Sequence, residues 1–569
     1  MRDILASSDA DCLPAKIPIC VSRPSDLLTP TAIYLKLSEG ATAEYSFLLE
    51  SATGSTETVG RYSYVGARPR KVIRTGEGFE SGPIDPLPIL QAELARGRVV
   101  SVPELKLPPL SGGAVGYIGY DCVRYFEPKT DRPLRDNLHI PEAFFMLYDT
   151  IIAFDHFYST LTVITHMQVE NVAYADIQAA YDDACELLRN TLELLQRPET
   201  PQSPPRQDPL DSTTPRQRSS TFTSNVGRRG YERFVTELKT HIRRGNIIQA
   251  VPSQRFSRET PLHPFNLYRT LRTVNPSPYL FFLSCGDFYV VGASPECLMK
   301  TDGYETLPPP DPRFGYSAEE ARNRLKIVNH AIAGTIGRGE TAAEDDALAR
   351  QLLSSIKDRA EHVMLVDLAR NDVNRVCHPF TVCVDRLMEI DRFSHVQHLT
   401  SHVSGVLRPE CSRWDALRST FPAGTVSGAP KVRAMELIYE LEKEKRGIYA
   451  GAVGWFAYDA VRADSGADTD GSDENEKKNS GGVERVVVVD GQLDVCIAIR
   501  TMLIKDGVAY IQSGGGIVFD SNEEEEWLET MNKSAANMRC IELAENYYAG
   551  GPEPRMVAEI IACEREKGI

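Results

Sequence analysis

Two pairs of carboxylates have a spacing that places both members of each pair on one face of a helix. Asp358 and Glu361 stand three residues apart in KDRAEHVMLVDLARND, and Glu526 and Glu529 stand three apart in NEEEEWLETMNK. Side chains at this spacing are neighbours on a helix surface. Two such helices facing each other would form an all-oxygen site of the kind that Mg²⁺ prefers. The alternative is a solvated helix face, because the helix dipole favours acidic residues in a first turn.

A second group of residues is suited to binding an anion or moving a proton. SGGGIV (513–518) follows a predicted strand, and its N–H groups either converge on a carboxylate or form a plain tight turn. Arg500 ends the apolar run DVCIAIR, where a buried arginine needs an anionic partner, either a ligand or a structural Asp. Thr425, in FPAGTVSGAPK, either faces a ligand or caps the helix that follows. His398 is a candidate acid or base, although a lone strand histidine is more often a core residue.

Several common catalytic and nucleotide-binding motifs are missing. The sequence has no G-x-x-x-x-G-K-[ST] phosphate loop, no G-x-S-x-G nucleophile motif and no His/Cys cluster with zinc spacing. GTIGRG (334–339) fits the dinucleotide-binding motif poorly and lacks a βαβ frame. The carboxylates and the anion-binding segments are therefore the main candidates for chemistry.

Composition and charge narrow the class of protein. The 569 residues are 42% hydrophobic and 25% charged, which is ordinary globular usage and excludes a wholly disordered or fibrous chain. The formal net charge is −16, whereas nucleic-acid-binding proteins usually have a basic surface, so no nucleic acid partner is expected. The sequence contains no run of eighteen apolar residues, so no membrane span is predicted. The N-terminus lacks the apolar core of a signal peptide. Twelve cysteines without paired spacing indicate a reducing compartment, so we expect a cytoplasmic protein.

Low-complexity segments divide the chain. Residues 198–229 are rich in Pro, Ser, Thr and Arg and predict a disordered linker, and residues 461–482 predict an acidic disordered loop. The linker separates a smaller N-terminal domain (17–197) from a C-terminal domain (230–548). Both contain strand-like and helical patterns, including a last helix over about 523–547. Because regular β-α alternation is absent, we expect an α+β (mixed α/β) fold with mainly antiparallel sheets.

One short sequence, the internal echo, occurs in similar form in both predicted domains. GGAVGYIGYD (112–121) and AGAVGWFAYD (450–459) share Gly-Ala-Val-Gly and Tyr-Asp. The match indicates either a common ancestral strand or convergence on a glycine-rich strand.

Eleven short motifs occur in order along almost the whole predicted folded chain. They are LLES (48–51), NPSPY (275–279), GASPE (292–296), AIAGT with RG (331–339), DRAEHVMLVDLARND (358–372), QHLTSHVSG (397–405), FPAGTVSGAPK (421–431), YAGAVGW (449–455), CIAIRT (496–501), QSGGGIVFDS (512–521) and E-x-x-E-T-x-N-K (526–533). As a set they closely resemble the chorismate-utilising enzymes, and within them the large (component I) subunits of anthranilate synthase. The resemblance implies the fold of that family, with two mainly antiparallel sheets packed between helices and a smaller N-terminal α/β domain.

The same resemblance implies an activity and its residues. Ammonia attacks C2 of chorismate as the C4 hydroxyl leaves, and pyruvate is then lost to give anthranilate, the first step of tryptophan biosynthesis. Glu296 is implied as the acid for the leaving hydroxyl, and His398, with Thr425 nearby, as the group for pyruvate loss. The residues implied to bind chorismate are Gly334 and Thr335 beneath it, Tyr449 and Arg500 on its enolpyruvyl carboxylate, and Gly514, Gly515 and Gly516 on its other carboxylate. The residues implied to bind Mg²⁺ are Glu361 and Glu529, with Asp358 and Glu526 completing the cage.

Feedback inhibition by L-tryptophan is implied as well. The matching positions lie in LLES, NPSPY and the start of CIAIRT, away from chorismate. They are Ser51, Asn275, Pro278, Tyr279, Leu280 and Cys496.

Relatives with the same fold make 4-amino-4-deoxychorismate, isochorismate or salicylate. Aminodeoxychorismate enzymes carry a nucleophilic Lys before the Gly-Thr pair, whereas Ala333 has no nucleophilic atom, so direct attack by ammonia is implied. The sequence has no G-x-C-x-G glutaminase motif, so we expect a separate glutamine amidotransferase subunit (component II) as partner. The alternatives are an aminodeoxychorismate, isochorismate or salicylate type of enzyme, or a catalytically silent regulatory homologue.

The chain departs from the family pattern at a few positions. Asp358 stands where Glu is usual, Gly515 where Ala is usual, and Leu280 where Met is frequent. Residues 308–327 look inserted upstream of the strand that contains Thr335, and a shift of that strand would silence the site.

Overall fold

The computed structural model describes residues 15–51, 60–102, 105–169, 174–205, 221–308, 315–392, 396–463 and 486–548. Residues 206–220 of the predicted linker, 464–482 of the predicted acidic loop and 309–314 of the predicted insertion lie outside the described residues. Within the described ranges, none of the helices has the length and apolar character needed to cross a lipid bilayer.

The larger of two main sheets contains fourteen described strands. Its only parallel pairings among these are those made by Arg98–Val100 with its two neighbours. In spatial order the strands are β10 (Thr223–Ser224), β12 (Ser253–Glu259), β25 (Val508–Gly514), β24 (Thr501–Lys505), β14 (Phe288–Ser294), β13 (Tyr279–Cys285), β2 (Tyr45–Glu50), β3 (Tyr62–Ala67), β8 (Thr150–Asp155), β9 (Thr160–Val169), β1 (Ala15–Pro24), β5 (Arg98–Val100), β21 (Ala460–Ala463) and β22 (Val486–Val489).

The second main sheet contains nine described strands and is antiparallel throughout. In spatial order they are β17 (Cys383–Arg392), β18 (Val396–Val406), β16 (Arg324–Gly337), β15 (Cys297–Glu305), β23 (Leu493–Ile497), β20 (Ala452–Ala457), β6 (Gly113–Ile118), β7 (Ala143–Tyr148) and β4 (Lys71–Thr75). A short separate ladder joins β11 (Gln249–Ala250) to β19 (Gly428–Ala429).

Helices cover the outer face of each sheet. The described α-helices are α1 (Pro30–Leu37), α2 (Pro86–Ala95), α3 (Val123–Phe126), α4 (Tyr174–Gln196), α5 (Gly227–Arg243), α6 (Pro264–Val274), α7 (Ala342–Ser354), α8 (Ile356–Asn374), α9 (Arg413–Thr420), α10 (Lys431–Glu442) and α11 (Glu523–Tyr548).

The core has three layers of packing. Between the sheets, aromatic side chains from both interlock, as where Phe47 of β2 meets Tyr148 of β7 edge to face. A second cluster joins the larger sheet to α1, α4, α6 and α11, and a third joins the smaller sheet to α2, α8, α9 and α10. Burial on both faces explains continuous apolar runs such as AFFMLY in β7, all six residues of which are buried. The predicted α+β class with two mainly antiparallel sheets between helices is confirmed.

Strands from both sides of the predicted linker enter both sheets. In the larger sheet β2 pairs with β13, and in the smaller sheet β6 pairs with β20. The division into domains 17–197 and 230–548 therefore stays a prediction about separate folding units, while the sheets themselves are shared between them.

The internal echo is a direct strand pair. Gly116 of β6 lies opposite Gly454 of β20. A Cβ on Gly116 would lie 1.9 Å from the carbonyl oxygen of Phe144, and one on Gly454 would lie 2.1 Å from that of Asp494. The shared glycines are thus explained by the close approach of neighbouring backbones.

Candidate active site and effector pocket

The GASPE motif forms the turn between β14 and β15, which places Glu296 in the interior. A carboxyl oxygen of Glu296 accepts a 3.0 Å hydrogen bond from the hydroxyl of Thr425, and the N–H of Ile332 also donates to this carboxyl. Burial raises the pKa of Glu296 to about 8, although both hydrogen bonds oppose the shift. A carboxyl with this pKa is largely protonated at neutral pH and can donate a proton.

The strand pair β16 and β18 brings a second pair of predicted residues together. The hydroxyl of Thr335 lies 2.9 Å from Nδ1 of His398, and the two residues are cross-strand partners. The register shifts between Ala333 and Thr335, and Gly334 between them has φ of +68°, which glycine adopts readily. Burial lowers the pKa of His398 to about 4, so its ring is neutral at pH 7 and can accept a proton.

The hydroxyl of Thr425 has the predicted acid as its partner. The resemblance implies only that Thr425 lies near His398; in the structure its hydroxyl donates to Glu296, while His398 is bonded to Thr335. Strand β16 pairs with β18 from Lys326 to Gly337, with one register shift just before Thr335.

Arg500 follows β23 and is partly buried. Its Nη1 donates a 2.6 Å hydrogen bond to the carbonyl oxygen of Lys533, and among the described residues it forms no ion pair with a carboxylate. Burial lowers its pKa, opposed by the nearby Tyr449 and Glu529. Because a buried guanidinium needs an anionic partner, the arrangement leaves Arg500 available to a carboxylate ligand.

The glycine segment after β25 is backed by two residues that sequence analysis missed. The N–H of Gly515 donates a 3.0 Å hydrogen bond to the hydroxyl of Tyr231, which itself donates to the carbonyl oxygen of Pro252. This N–H is thus bonded within the protein, and the binding of a carboxylate by Gly514, Gly515 and Gly516 stays a prediction. A Cβ on Gly516 would lie 2.2 Å from Nε2 of Gln249, so a larger residue there would require the Gln249 side chain to move.

Tyr449 stands on the other side of this segment. A Cβ on Gly514 would lie 3.1 Å from its hydroxyl oxygen. Burial raises the pKa of Tyr449 to about 12, so it acts as a hydrogen-bond donor at neutral pH.

Helices α8 and α11 present the four predicted metal ligands. The Ser355 side chain accepts from the N–H of Asp358 and starts α8, which fixes Asp358 and Glu361 near its beginning. Asn522 caps α11 in the same way by accepting from the N–H groups of Glu524 and Glu525.

The carboxylates of the two helices meet beside the glycine segment. A Cβ on Gly515 would lie 3.0 Å from Oε2 of Glu526 and 3.8 Å from the Glu529 carboxyl carbon, and one on Gly516 would lie 3.6 Å from Oε1 of Glu361. Burial raises the pKa of Glu361, and Glu529 and Asp358 add to the shift. Burial likewise raises the pKa of Glu526, with Glu529 contributing. Mutual repulsion of this kind is relieved by a cation.

Each of three carboxylates is contacted by a protein donor in the structure. Lys533 forms a 2.6 Å ion pair with Glu529, Ser521 donates to Oε1 of Glu526, and Gln249 donates to Glu361 at 3.3 Å. No three His, Cys, Asp or Glu side chains of the described ranges are grouped closely enough to hold a metal ion as they stand. Oε2 of Glu526 is buried and has no hydrogen-bond partner in the described part of the chain.

A separate cavity of about 290 Å³ lies between the two sheets. Five of the six residues predicted for tryptophan line it: Ser51, Pro278, Tyr279, Leu280 and Cys496. The sixth, Asn275, is not among the lining residues; it ends α6, where its N–H bonds to Leu271. The hydroxyl of Ser51 is buried and has no hydrogen-bond partner among the described residues, so a ligand there would satisfy it.

Sequence analysis missed most of the cavity's polar lining. Lys300 and Asp494 line it, and Asp494 accepts a 3.1 Å hydrogen bond from the hydroxyl of Tyr279. Burial raises the pKa of Asp494 to about 6, opposed by Lys300. The signal was an aspartate inside the apolar run LDVCIAIR, which points to a functional contact.

Comparison with known proteins places this arrangement in a family. Residues 44–307, 317–464 and 481–539 match the family model described as chorismate binding enzyme. Anthranilate synthase component 1 of Saccharomyces cerevisiae is 50% identical over 94% of this chain and 93% of its own. A protein of Schizosaccharomyces pombe named probable anthranilate synthase component 1 is 48% identical over 94% of each chain.

Solved structures agree. The crystal structure of anthranilate synthase component I from Streptococcus pneumoniae has a TM-score of 0.63 and 33% identity, covering 86% of this chain and 95% of that one. The menaquinone-specific isochorismate synthase of Escherichia coli, at 15% identity and a TM-score of 0.60 over 95% of this chain and 97% of that one, shares the fold. The chain therefore belongs to the chorismate-binding enzyme family and, within it, to the component 1 proteins of anthranilate synthase.

Proposed function

We propose that this chain is the synthase subunit that converts chorismate and ammonia into anthranilate and pyruvate, the first step of tryptophan biosynthesis. The observation that supports this most directly is that strand β16 contacts both an acid and a base: the N–H of Ile332 donates to the carboxyl of Glu296, and the hydroxyl of Thr335 lies 2.9 Å from Nδ1 of His398. The chain is also similar over most of its length to proteins named anthranilate synthase component 1.

The acid and base then have separate tasks. Arg500 and Tyr449 bind the enolpyruvyl carboxylate, and Gly334 and Thr335 lie beneath the ring. Glu296 donates its proton to the C4 hydroxyl, which leaves as water while ammonia forms the new bond at C2, and the nitrogen then returns one proton to the Glu296 carboxylate.

Loss of pyruvate completes the reaction. His398, oriented by Thr335, accepts the proton from C2 as the C3–O bond breaks, which leaves an aromatic ring. The enolpyruvyl fragment departs and takes up a proton to become pyruvate.

Magnesium is the cofactor that the carboxylates fit. Oε2 of Glu526 is buried without a hydrogen-bond partner among the described residues, and a divalent cation would provide one. A cation would also lower the raised pKa values of Glu361 and Glu526. Glu361 and Glu529 would hold Mg²⁺, with Asp358 and Glu526 completing the set. When bound, Mg²⁺ supplies charge neutralisation for the ring carboxylate. Lys533 pairs with Oε1 of Glu529 and would compete with the cation for that oxygen.

A glutamine amidotransferase subunit is proposed as the source of ammonia, because the sequence contains no glutaminase motif of its own. L-Tryptophan is proposed as the inhibitor that occupies the cavity between the sheets. A cytoplasmic location stays a prediction; the ten described cysteines are all free thiols.

Related chemistries are less well supported. An aminodeoxychorismate route of the lysine-nucleophile type requires an attacking atom before Gly334, and Ala333 has none. A silent homologue is disfavoured because Glu296, Thr335 and His398 keep their hydrogen-bonded positions.

A fluorescence assay tests the proposal. Purified chain, chorismate, Mg²⁺ and ammonium should give anthranilate, while glutamine should replace ammonium only after the amidotransferase subunit is added. Glu296→Gln serves as the inactive control. Product identification by mass would reveal isochorismate, salicylate or aminodeoxychorismate instead, and any of these would overturn the assignment.

A further inference from the structure

The effector cavity and the acid Glu296 are built on the same strands. Tyr279 and Leu280 of β13 line the cavity, and they pair with Ser294 and Ala293 of β14. Ser294 is the last residue of β14 and stands two residues before Glu296. A displacement of β13 at the cavity therefore reaches the turn that presents the acid.

A second strand makes the same connection from the other side. Cys496 of β23 lines the cavity and is the cross-strand partner of Cys297, the residue after Glu296. The N–H of Ile497, next along β23, donates a 3.0 Å hydrogen bond to the carbonyl oxygen of Glu296. The backbone of the acid is thus attached to a strand that contacts the cavity.

One side chain is hydrogen-bonded both to β23 and to the turn that contains Glu296. The hydroxyl of Ser294 donates a 2.7 Å hydrogen bond to the carbonyl oxygen of Ile497 and accepts one of 3.4 Å from the N–H of Glu296. Ser294 is fully buried, so water cannot substitute for these bonds. It ties the end of β14 and the end of β23 to the turn that carries Glu296.

We infer that Ser294 is a positioning residue that couples occupancy of the cavity to the orientation of Glu296. A ligand between the sheets contacts β13 and β23 together, and closely packed interiors transmit small displacements. Moving these strands relative to each other changes the geometry of the Ser294 hydroxyl and so the position of the acid. The inference rests on the proposed function, in which tryptophan fills the cavity and Glu296 meets chorismate.

Binding alone provides the first test, without turnover. The Kd of tryptophan is measured by calorimetry with and without saturating chorismate, with ammonium omitted. Because coupling is reciprocal, the wild-type chain should bind tryptophan about tenfold more weakly when chorismate is present. Ser294→Ala should bind tryptophan alone with an unchanged Kd but lose this difference to within about twofold.

The pH dependence of ammonium-driven turnover provides the second test. Loss of the Ser294 hydroxyl frees the turn, so the Glu296 carboxyl becomes better hydrated and its pKa falls towards the ordinary value. The decline of kcat on the basic side should therefore move to lower pH in Ser294→Ala. A role in stability alone would leave the pH profile unmoved.

Ser284→Ala is the matched control. Ser284 lies on β13, is equally buried, and donates to the carbonyl oxygens of Ala43 and Glu44 at the end of the strand remote from Glu296. It should keep the wild-type coupling and pH profile.

The inference is overturned if Ser294→Ala couples the two ligands as the wild type does, or if the wild type shows no coupling. A wild-type chain that couples the ligands but makes no anthranilate when ammonium is added would refute the proposed function and leave the role of Ser294 supported.

Discussion

The hydroxyl of Thr425 and the carboxyl of Glu296 lie 3.0 Å apart, although 129 positions separate them in the chain. This bond lowers the pKa of a carboxyl that burial raises to about 8. An acid is active in its protonated form, so turnover should fall as the pH rises through about 8.

Thr425→Val removes the hydrogen bond that favours the charged form of Glu296. The pKa of Glu296 should then rise, and the basic decline of kcat should move to higher pH, as measured in ammonium-dependent assays. Thr420→Val is the control, since the Thr420 hydroxyl donates within its own helix. If the decline of kcat at high pH is unchanged in Thr425→Val, a group other than Glu296 determines it.

The carboxylates at α8 and α11 should determine the metal requirement. Glu361→Gln and Glu529→Gln each remove a negative charge with little change in shape, so Mg²⁺ binding measured by calorimetry and Mg²⁺-dependent turnover should both be lost. Asp358→Asn should have a milder effect, because its shorter side chain acts through water. Mg²⁺ and chorismate should each strengthen the binding of the other, because each supplies charge that the other lacks.

Glu525→Gln is the matched control for this set, because it removes the same charge from the same helix and Glu525 is not one of the four predicted ligands. It should bind Mg²⁺ as the wild type does. Full activity and unchanged Mg²⁺ affinity in Glu361→Gln would mean that the carboxylates are only a solvated surface.

Arg500→Lys keeps the positive charge but loses the planar, two-pronged donor set. Hydrogen bonds to charged groups contribute about 1.5–3 kcal/mol, so kcat/KM for chorismate should fall by at least about tenfold. The thermal unfolding midpoint should change little, and Arg233→Lys, an exposed ion-paired residue of α5, should behave as the wild type. Near-normal kinetics in Arg500→Lys would assign the arginine a structural role.

Ser51→Phe should relieve inhibition by tryptophan while most of the activity is kept. The ring would fill the cavity beside Tyr279, and unpaired polar groups of the ligand would cost about 1–3 kcal/mol each. Dose–response curves for tryptophan test this, with Ser22→Phe, an exposed site on β1 of the same sheet, as control. An unchanged inhibition curve would place the effector elsewhere.

Much of the site could be predicted because it depends on local patterns. The carboxylate pairs follow from the helical repeat, which sets neighbours three residues apart whatever surrounds the helix. The strands and the last helix follow from apolar periodicity, and the order of the motifs indicated the family. The structure contains these helices and strands because they depend on residues that are close together in the sequence.

Other features were decided by contacts between distant parts of the chain. The hydroxyl of Tyr231 accepts a hydrogen bond from the N–H of Gly515, Gln249 donates to Glu361, and Lys533 forms an ion pair with Glu529. Asn275 shares a motif with Tyr279, yet it ends a helix and lies outside the cavity lining. Local spacing places a side chain on its own element, but which elements meet is determined by how the two sheets pack and bury their apolar faces, a property of the whole chain.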